Sequence, residues 1–186
     1  MLTGLGGQGV QLTAKTLATA GVHDGLEVMM FSSYTGAMRG GSTEATVVLS
    51  SEPVRTPPTV RAVRYAIGMH HKYWPAVGER IRPDGLAVID SDVFRGDPGA
   101  RGWAVDLVDA NTLATEAGAP RAAAMVALGR LAAATGLVTL ASLERAAHEV
   151  LPPYRAQFAA ANAAAIRSGF TSAPQLARLA NTYLKE

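Results

Sequence analysis

The sequence contains no cysteine. That excludes disulfides and thiolate metal sites, and this chain cannot ligate an iron–sulfur cluster through cysteine. No uninterrupted apolar run is long enough to span a membrane, and no charged stretch leading into a short apolar one marks a signal peptide. A cytoplasmic protein is the simplest expectation. The formal net charge is only +2, the basic residues are scattered, and arginine strongly outnumbers lysine. Nothing forms the dense basic stripe of a nucleic-acid binder. Neither a nucleic acid nor a membrane is therefore expected as a partner. What remains is a chain of 186 residues, 48% hydrophobic, long enough to bury a real core.

The densest signal is the first loop, Gly4-Leu5-Gly6-Gly7-Gln8-Gly9, with the amphipathic run Val10 to Ala18 behind it. Glycine lets a ligand approach the main chain with no Cβ in the way. The first N–H groups of a helix have no internal partner, and the helix dipole is positive at that end. Such a loop suits a phosphate or pyrophosphate. Lys15, about one and a half turns into the helix, is placed to reach back over the loop with a full positive charge. The alternative is a glycine turn that only lets helix and strand pack closely. Only Met1, Leu2 and Thr3 precede Gly4, so the expectation is either a very short first strand or a trimmed chain start.

The helix is expected to end near Gly21, before the turn His23-Asp24-Gly25. Leu26 to Phe31 then reads as a buried strand, giving a β-α-β unit with its glycine loop at the first β-α junction. A nicotinamide-binding unit places an acid at the end of its second strand to hold the ribose hydroxyls. Here that end reads Phe31-Ser32-Ser33-Tyr34, and Glu27 lies at the wrong end. A second glycine-bearing loop, Ser33 to Ser42, carries Tyr34, Arg39, Gly40 and Gly41, and Arg39 suits bidentate contact with a carboxylate or phosphate. An exposed or subunit-paired arginine is the equal alternative.

Further strands are expected at Glu44 to Ser50, Tyr65 to Met69, Leu86 to Asp90 and Trp103 to Leu107, with Arg82 to Gly85 as a turn. His70 and His71 open a short helix; adjacent histidines cannot share a helix face, and they read as ordinary surface or hinge residues rather than metal ligands. Asp90 and Asp92, at a strand's carboxyl end, could meet a ligand or magnesium, but a capped turn is the preferred reading. From Asn111 the pattern is helical. Asn111 caps a short helix through Ala117, Pro120 begins the next, which runs to Thr135 before Gly136, and Ser142 starts another ending near Leu151. An alanine-rich helix runs from Tyr154 to Ser168 and stops at Gly169, and Ser172 begins a last short one. The fold expected is α/β: a three-layer α/β/α Rossmann-like sheet with a C-terminal helical segment. It forms a single domain over 1–186, with the sheet core in 1–110 and helical completion in 111–186.

Gly4-Leu5-Gly6-Gly7-Gln8-Gly9-Val10, the loop from Ser33-Tyr34 to Arg39-Gly40-Gly41, and Val47 to Val54 together resemble the gamma subunit of 2-oxoacid:ferredoxin oxidoreductases. The same unit forms domain III of the single-chain pyruvate enzymes. Pro83-Asp84-Gly85 before Val88 to Asp92, and Met125 to Gly129, agree in order, so the resemblance covers nearly the whole chain. Two departures are the short strand before Gly4 and Ala124, where the family often has asparagine. The resemblance implies a share in oxidative decarboxylation of a 2-oxoacid to an acyl-CoA, with no catalytic residue and no metal ligand in this chain. Thiamine diphosphate, magnesium and iron–sulfur clusters are implied in partner subunits, with ferredoxin or another acceptor taking the electrons. It implies that Gly4, Gly6, Gly7, Gln8, Gly9 and Lys15 approach the phosphates of coenzyme A. Tyr34, Arg39, Gly40 and Gly41 would line the active-site mouth or a subunit interface. A free-standing NAD(P)-binding oxidoreductase and a non-catalytic assembly subunit are the alternatives.

Overall fold

The computed structural model describes residues 1–34, 40–55 and 60–174, except for the side chain of Tyr34. Six strands form one sheet: β1 (Leu2–Leu5), β2 (Glu27–Tyr34), β3 (Ser42–Ser50), β4 (Val63–Gly68), β5 (Ile81–Asp90) and β6 (Ala104–Val108). Their spatial order is β2-β3-β1-β4-β5-β6. β1, β4, β5 and β6 are parallel, while β3 runs antiparallel to both β1 and β2. The helices are α1 (Val10–His23), α2 (Pro75–Gly78), α3 (Ala110–Glu116), α4 (Ala123–Thr135), α5 (Leu140–Glu149) and α6 (Ala159–Thr171). Two 3-10 turns, His71–Tyr73 and Pro153–Phe158, precede α2 and α6.

The α/β expectation, a sheet followed by late helices, holds, and the sheet is mixed. The β1-α1-β2 unit is split, because β3 inserts between its two strands. β2 is consequently an edge strand with Phe31 exposed, which corrects the expectation of a buried strand over Leu26 to Phe31. Side-chain alternation on the central strands divides the core. Leu2, Ile67 and Val88 face the layer of α1, α4, α5 and α6. Ala66, Ala87 and Ile89 face a smaller cluster built on Trp74, Val77, Phe94 and Trp103. The Trp74 ring stands edge-on to Phe94 and to Trp103, with centroids 5.9 Å away in each case. Gly68 leaves room for Trp74, since a Cβ there would lie 2.7 Å from its ring.

The helical layer is knit where α4 crosses α6. A Cβ on Gly129 would lie 2.0 Å from the Ile166 carbonyl oxygen, and one on Gly169 would lie 1.9 Å from that of Val126. The two backbones thus meet with no side chain between them. Gly169 sits inside α6 and does not stop it, as the sequence had suggested. Other boundaries move for local reasons. Asn111 lies inside α3 and donates to Asp90, so it is no cap. α4 begins at Ala123, after a turn that contains Pro120. Thr139, not Ser142, caps α5, accepting the Ser142 N–H. Arg82 to Gly85 lie within β5, where the ladder with β4 slips between Val63 and Tyr65. The helix expected from Ser172 falls largely outside the described residues. No helix among those described is long and apolar enough to cross a membrane.

Candidate functional site

The carboxyl ends of β1, β4, β5 and β6 share one edge. Between β1 and β4 the connections diverge. The chain leaves β1 through α1 on one face, and leaves β4 through His71–Tyr73 and α2 on the other. A crevice at such a switch point is where open α/β sheets bind ligands. The glycine loop lies at this divergence, at the carboxyl end of β1.

The loop is built from backbone bonds. Gln8 N–H donates to the Leu5 carbonyl at 3.1 Å, and Thr13 N–H donates to Gly9 at 2.9 Å, the first bond of α1. Gly7 and Gly9 hold φ of 101° and 81°, in the left-handed region that favours glycine. A Cβ on Gly7 would have nothing within 4 Å among the described residues, so this side of the loop is open to them. Gly9 is the N-cap of α1 and offers no side chain; no acid occupies the first turn. The N–H groups of Val10, Gln11 and Leu12 therefore meet the edge uncapped by any side chain among the described residues, with the helix dipole behind them. Ala124, at the start of α4, comes within 4.0 Å of a Cβ on Gly9 and so backs the loop.

Two neighbours complete the mouth. Gly6 N–H donates to the Gly41 carbonyl at 2.9 Å, which joins the second glycine loop to the first. Tyr73 O–H reaches the Gly40 carbonyl at 3.4 Å. Gly4, Gly6, Gly7, Gln8, Gly9, Gly40 and Gly41 are thus brought together as the sequence reading required. Tyr34 ends β2 against Thr43, while Arg39 lies outside the described residues. Lys15 is exposed on α1, about 8 Å of helix rise from Val10. It enters only by reach, since helical side chains lean toward the N-terminus.

Sequence reasoning missed the segment after β4. His70 Nδ1 accepts the Lys72 N–H at 3.1 Å, and His71 Nδ1 accepts the Arg95 N–H at 3.3 Å. The rings stack with centroids 4.2 Å apart. Burial, with His71 and Lys72 alongside, lowers the pKa of His70. His70 thus caps the turn His71–Tyr73, and His71 ties that turn to the segment after β5. Among the described residues no group of three or more histidine, aspartate or glutamate side chains is placed to hold a metal. Asp90 turns inward, while Asp92 stays at the surface. Asp90 is fully buried, accepting from Asp92 N–H at 3.2 Å and Asn111 Nδ2 at 2.8 Å. Asp92 accepts from Thr112. Burial pushes Asp90 up to about 6. The sequence could have flagged the segment after β4 only with the strand order in hand, because only pairing with β1 brings it to the loop.

The family model for pyruvate ferredoxin/flavodoxin oxidoreductase matches residues 1–172. The chain belongs to this family. Among curated relatives, a 2-oxoglutarate synthase subunit KorC from Methanothermobacter marburgensis is 30% identical over 159 residues, 82% of this chain and 85% of the relative. The KorC subunit of Archaeoglobus fulgidus is 30% identical over 173 residues, 91% of this chain and 84% of the relative. The gamma subunit of a keto/oxoacid ferredoxin oxidoreductase from Geobacter sulfurreducens superposes with a TM-score of 0.73 at 24% identity, covering 91% of this chain and 94% of that one. A 2-oxoglutarate:ferredoxin oxidoreductase from Magnetococcus marinus, solved with 2-oxoglutarate, coenzyme A and succinyl-CoA bound, gives 0.78 at 22% identity. That match covers 96% of this chain and 30% of the longer chain. The structural likenesses show the fold, and the family match together with the KorC relatives shows the chain to be of the 2-oxoacid:ferredoxin oxidoreductase subunit type.

Proposed function

We propose that this gamma-type subunit positions coenzyme A in a thiamine-diphosphate-dependent complex that oxidatively decarboxylates a 2-oxoacid, with 2-oxoglutarate the first substrate to test. The observation that carries the reading is the glycine loop and the start of α1, uncapped among the described residues, at the carboxyl end of β1 where the β1 and β4 connections diverge, braced by the second glycine loop. An oxoacid of the 2-oxoglutarate class is favoured by the curated relatives, which are 2-oxoglutarate synthase subunits.

Coenzyme A supplies the thiol that accepts the acyl group. The residues of this chain fit its phosphates: main-chain N–H groups with no Cβ in front, no acid in the first turn, and Lys15 within reach. Their work is to hold and orient, which lowers the barrier by positioning rather than by acid–base chemistry. Thiamine diphosphate, magnesium and the iron–sulfur clusters are assigned to partner subunits. The absence of cysteine agrees, because a cluster needs thiolate ligands. Ferredoxin or another acceptor would be met through those partners.

The NAD(P) alternative is disfavoured by the strand order. In a dinucleotide fold the second strand, with its ribose-binding acid, lies beside the first. Here β3 separates them. The test is a complex reconstituted with its thiamine and iron–sulfur subunits. Lys15→Ala is expected to raise the KM for coenzyme A about fivefold, the worth of about 1 kcal/mol for a solvent-exposed ion pair with a phosphate, with thiamine content unchanged. An unchanged KM counts against the role. A change in complex mass alone would favour the assembly reading.

A further inference from the structure

Within the loop proposed to hold coenzyme A, Gln8 behaves unlike its neighbours. Its side chain turns away from the open edge and into the protein. Oε1 accepts the Leu5 N–H at 2.6 Å, and Nε2 donates to the Met69 carbonyl at 3.0 Å. The amide therefore bridges the end of β1 to the residue just beyond β4. Gly4 makes the space. A Cβ there would lie 2.7 Å from Gln8 Oε1 and 3.0 Å from the Met69 Cβ. This contact explains why position 4 is glycine in this chain. With Gly6 bound to Gly41, and Tyr73 reaching Gly40, the bridge links the first loop, the second loop and the segment after β4 in one circuit of hydrogen bonds.

We propose that Gln8 is a positioning residue, a latch that fixes the glycine loop so its free N–H groups face the crevice, and not itself a contact to the bound anion. This rests on the coenzyme A reading for the identity of the ligand, while the latch is a property of the chain itself. Gln8 does two jobs at once: one end accepts and the other donates. A carboxylate can only accept, and it would repel the Met69 carbonyl. A protonated carboxylic acid does both.

That difference gives the test. In the full-length chain at pH 8, the Gln8→Glu carboxylate can still accept the Leu5 N–H but is repelled by the Met69 carbonyl, which is expected to swing the side chain out of the bridge. This should lower the protection of the Leu5 amide against hydrogen exchange about tenfold relative to wild type at the same pH. The loss should shrink as pH falls toward and below about 5, where a glutamic acid beside a carbonyl becomes protonated. Gln8→Met, which cannot recover, should lose protection at every pH. In the reconstituted complex Gln8→Glu should raise the KM for coenzyme A about tenfold at pH 8, with kcat at saturating coenzyme A much less affected. Wild-type Leu5 protection in Gln8→Met, or a loss in Gln8→Glu that acid does not reverse, overturns the latch; wild-type Leu5 protection together with an unmoved KM in Gln8→Glu overturns the need for the Met69 end of the bridge. Lost protection with an unmoved KM upholds the latch and overturns coenzyme A as the ligand of the loop.

Discussion

Replacing Gly169 by alanine probes the contact that holds the helical layer together. The new Cβ would lie 1.9 Å from the Val126 carbonyl oxygen and 2.7 Å from its carbon. A carbon–oxygen contact is comfortable at about 3.3 Å, so α6 must retreat from α4 by more than about 1 Å. The obstacle is backbone, and no side-chain rotation relieves it. Overpacking of this kind costs about 1–3 kcal/mol, and a rigid obstacle places the substitution at the upper end. Alanine's better helix propensity returns roughly 1 kcal/mol. A net loss of about 2 kcal/mol is expected, or about 4–8 °C in Tm for a chain of this size. Thermal and urea unfolding of the variant measure it. Ser168→Ala, one residue earlier in the same helix, serves as the control and should stay within about 0.5 kcal/mol of wild type. A Gly169→Ala protein that melts at or above the wild-type temperature would refute the crossing as the reason for glycine. Because α4 also backs Gly9 through Ala124, the variant should lose affinity for any ligand of the loop as well as stability.

Two further outcomes follow from buried charge. Asp90 has its pKa pushed up to about 6 by burial, against about 4 when unfolded. The folded state therefore binds the extra proton between those values, and stability falls as pH rises through the window. Relative to Asp90→Asn, the wild-type protein should lose about 2–3 kcal/mol between pH 4 and pH 7; urea midpoints that track one another across this range would refute it. Arg130 is 8% exposed and grips Asp106 in two parallel bonds, Nε to Oδ2 at 2.7 Å and Nη2 to Oδ1 at 2.8 Å. Arg130→Met strands that carboxylate and should cost about 3 kcal/mol. The double variant Arg130→Met/Asp106→Leu should recover most of this, and equal losses in the single and double variants would show that packing dominates.

The glycine loop and α1 were legible because glycine, the missing acid and the apolar period are local signals. The pairing of the two glycine loops was legible only by resemblance, since Gly6 and Gly41 meet through the sheet order. That order was not in the sequence pattern: Leu26 to Phe31 is apolar enough for an inner strand, yet lies at the edge because β3 takes the place beside β1. Gly169 reads as a helix stop when seen alone. Its reason is the Val126 backbone, 43 positions earlier in the sequence. Gln8 was grouped with the ligand-binding glycines because its neighbours are glycines, whereas its amide is spent on Leu5 and Met69. Asn111 and Ser142 have the chemistry of caps, and lost that position to tertiary partners or to a better-placed threonine one turn earlier.

The inserted strand β3 has a consequence for how the molecule assembles. β2 and β3 are consecutive and antiparallel, so they can pair as a hairpin by local search. β1 precedes both in the chain yet belongs in the middle of the sheet, between β3 and β4. Its neighbours come into place only after distant segments have met, and such long-range closure is slow. The glycine loop at its end thus takes its shape late in folding, although it comes early in the polypeptide. Substitutions in β3 or β4 that merely delay this closure should yield chains that are largely folded but whose loop is not yet set. In a refolding experiment, ligand-binding competence should lag behind the recovery of secondary structure.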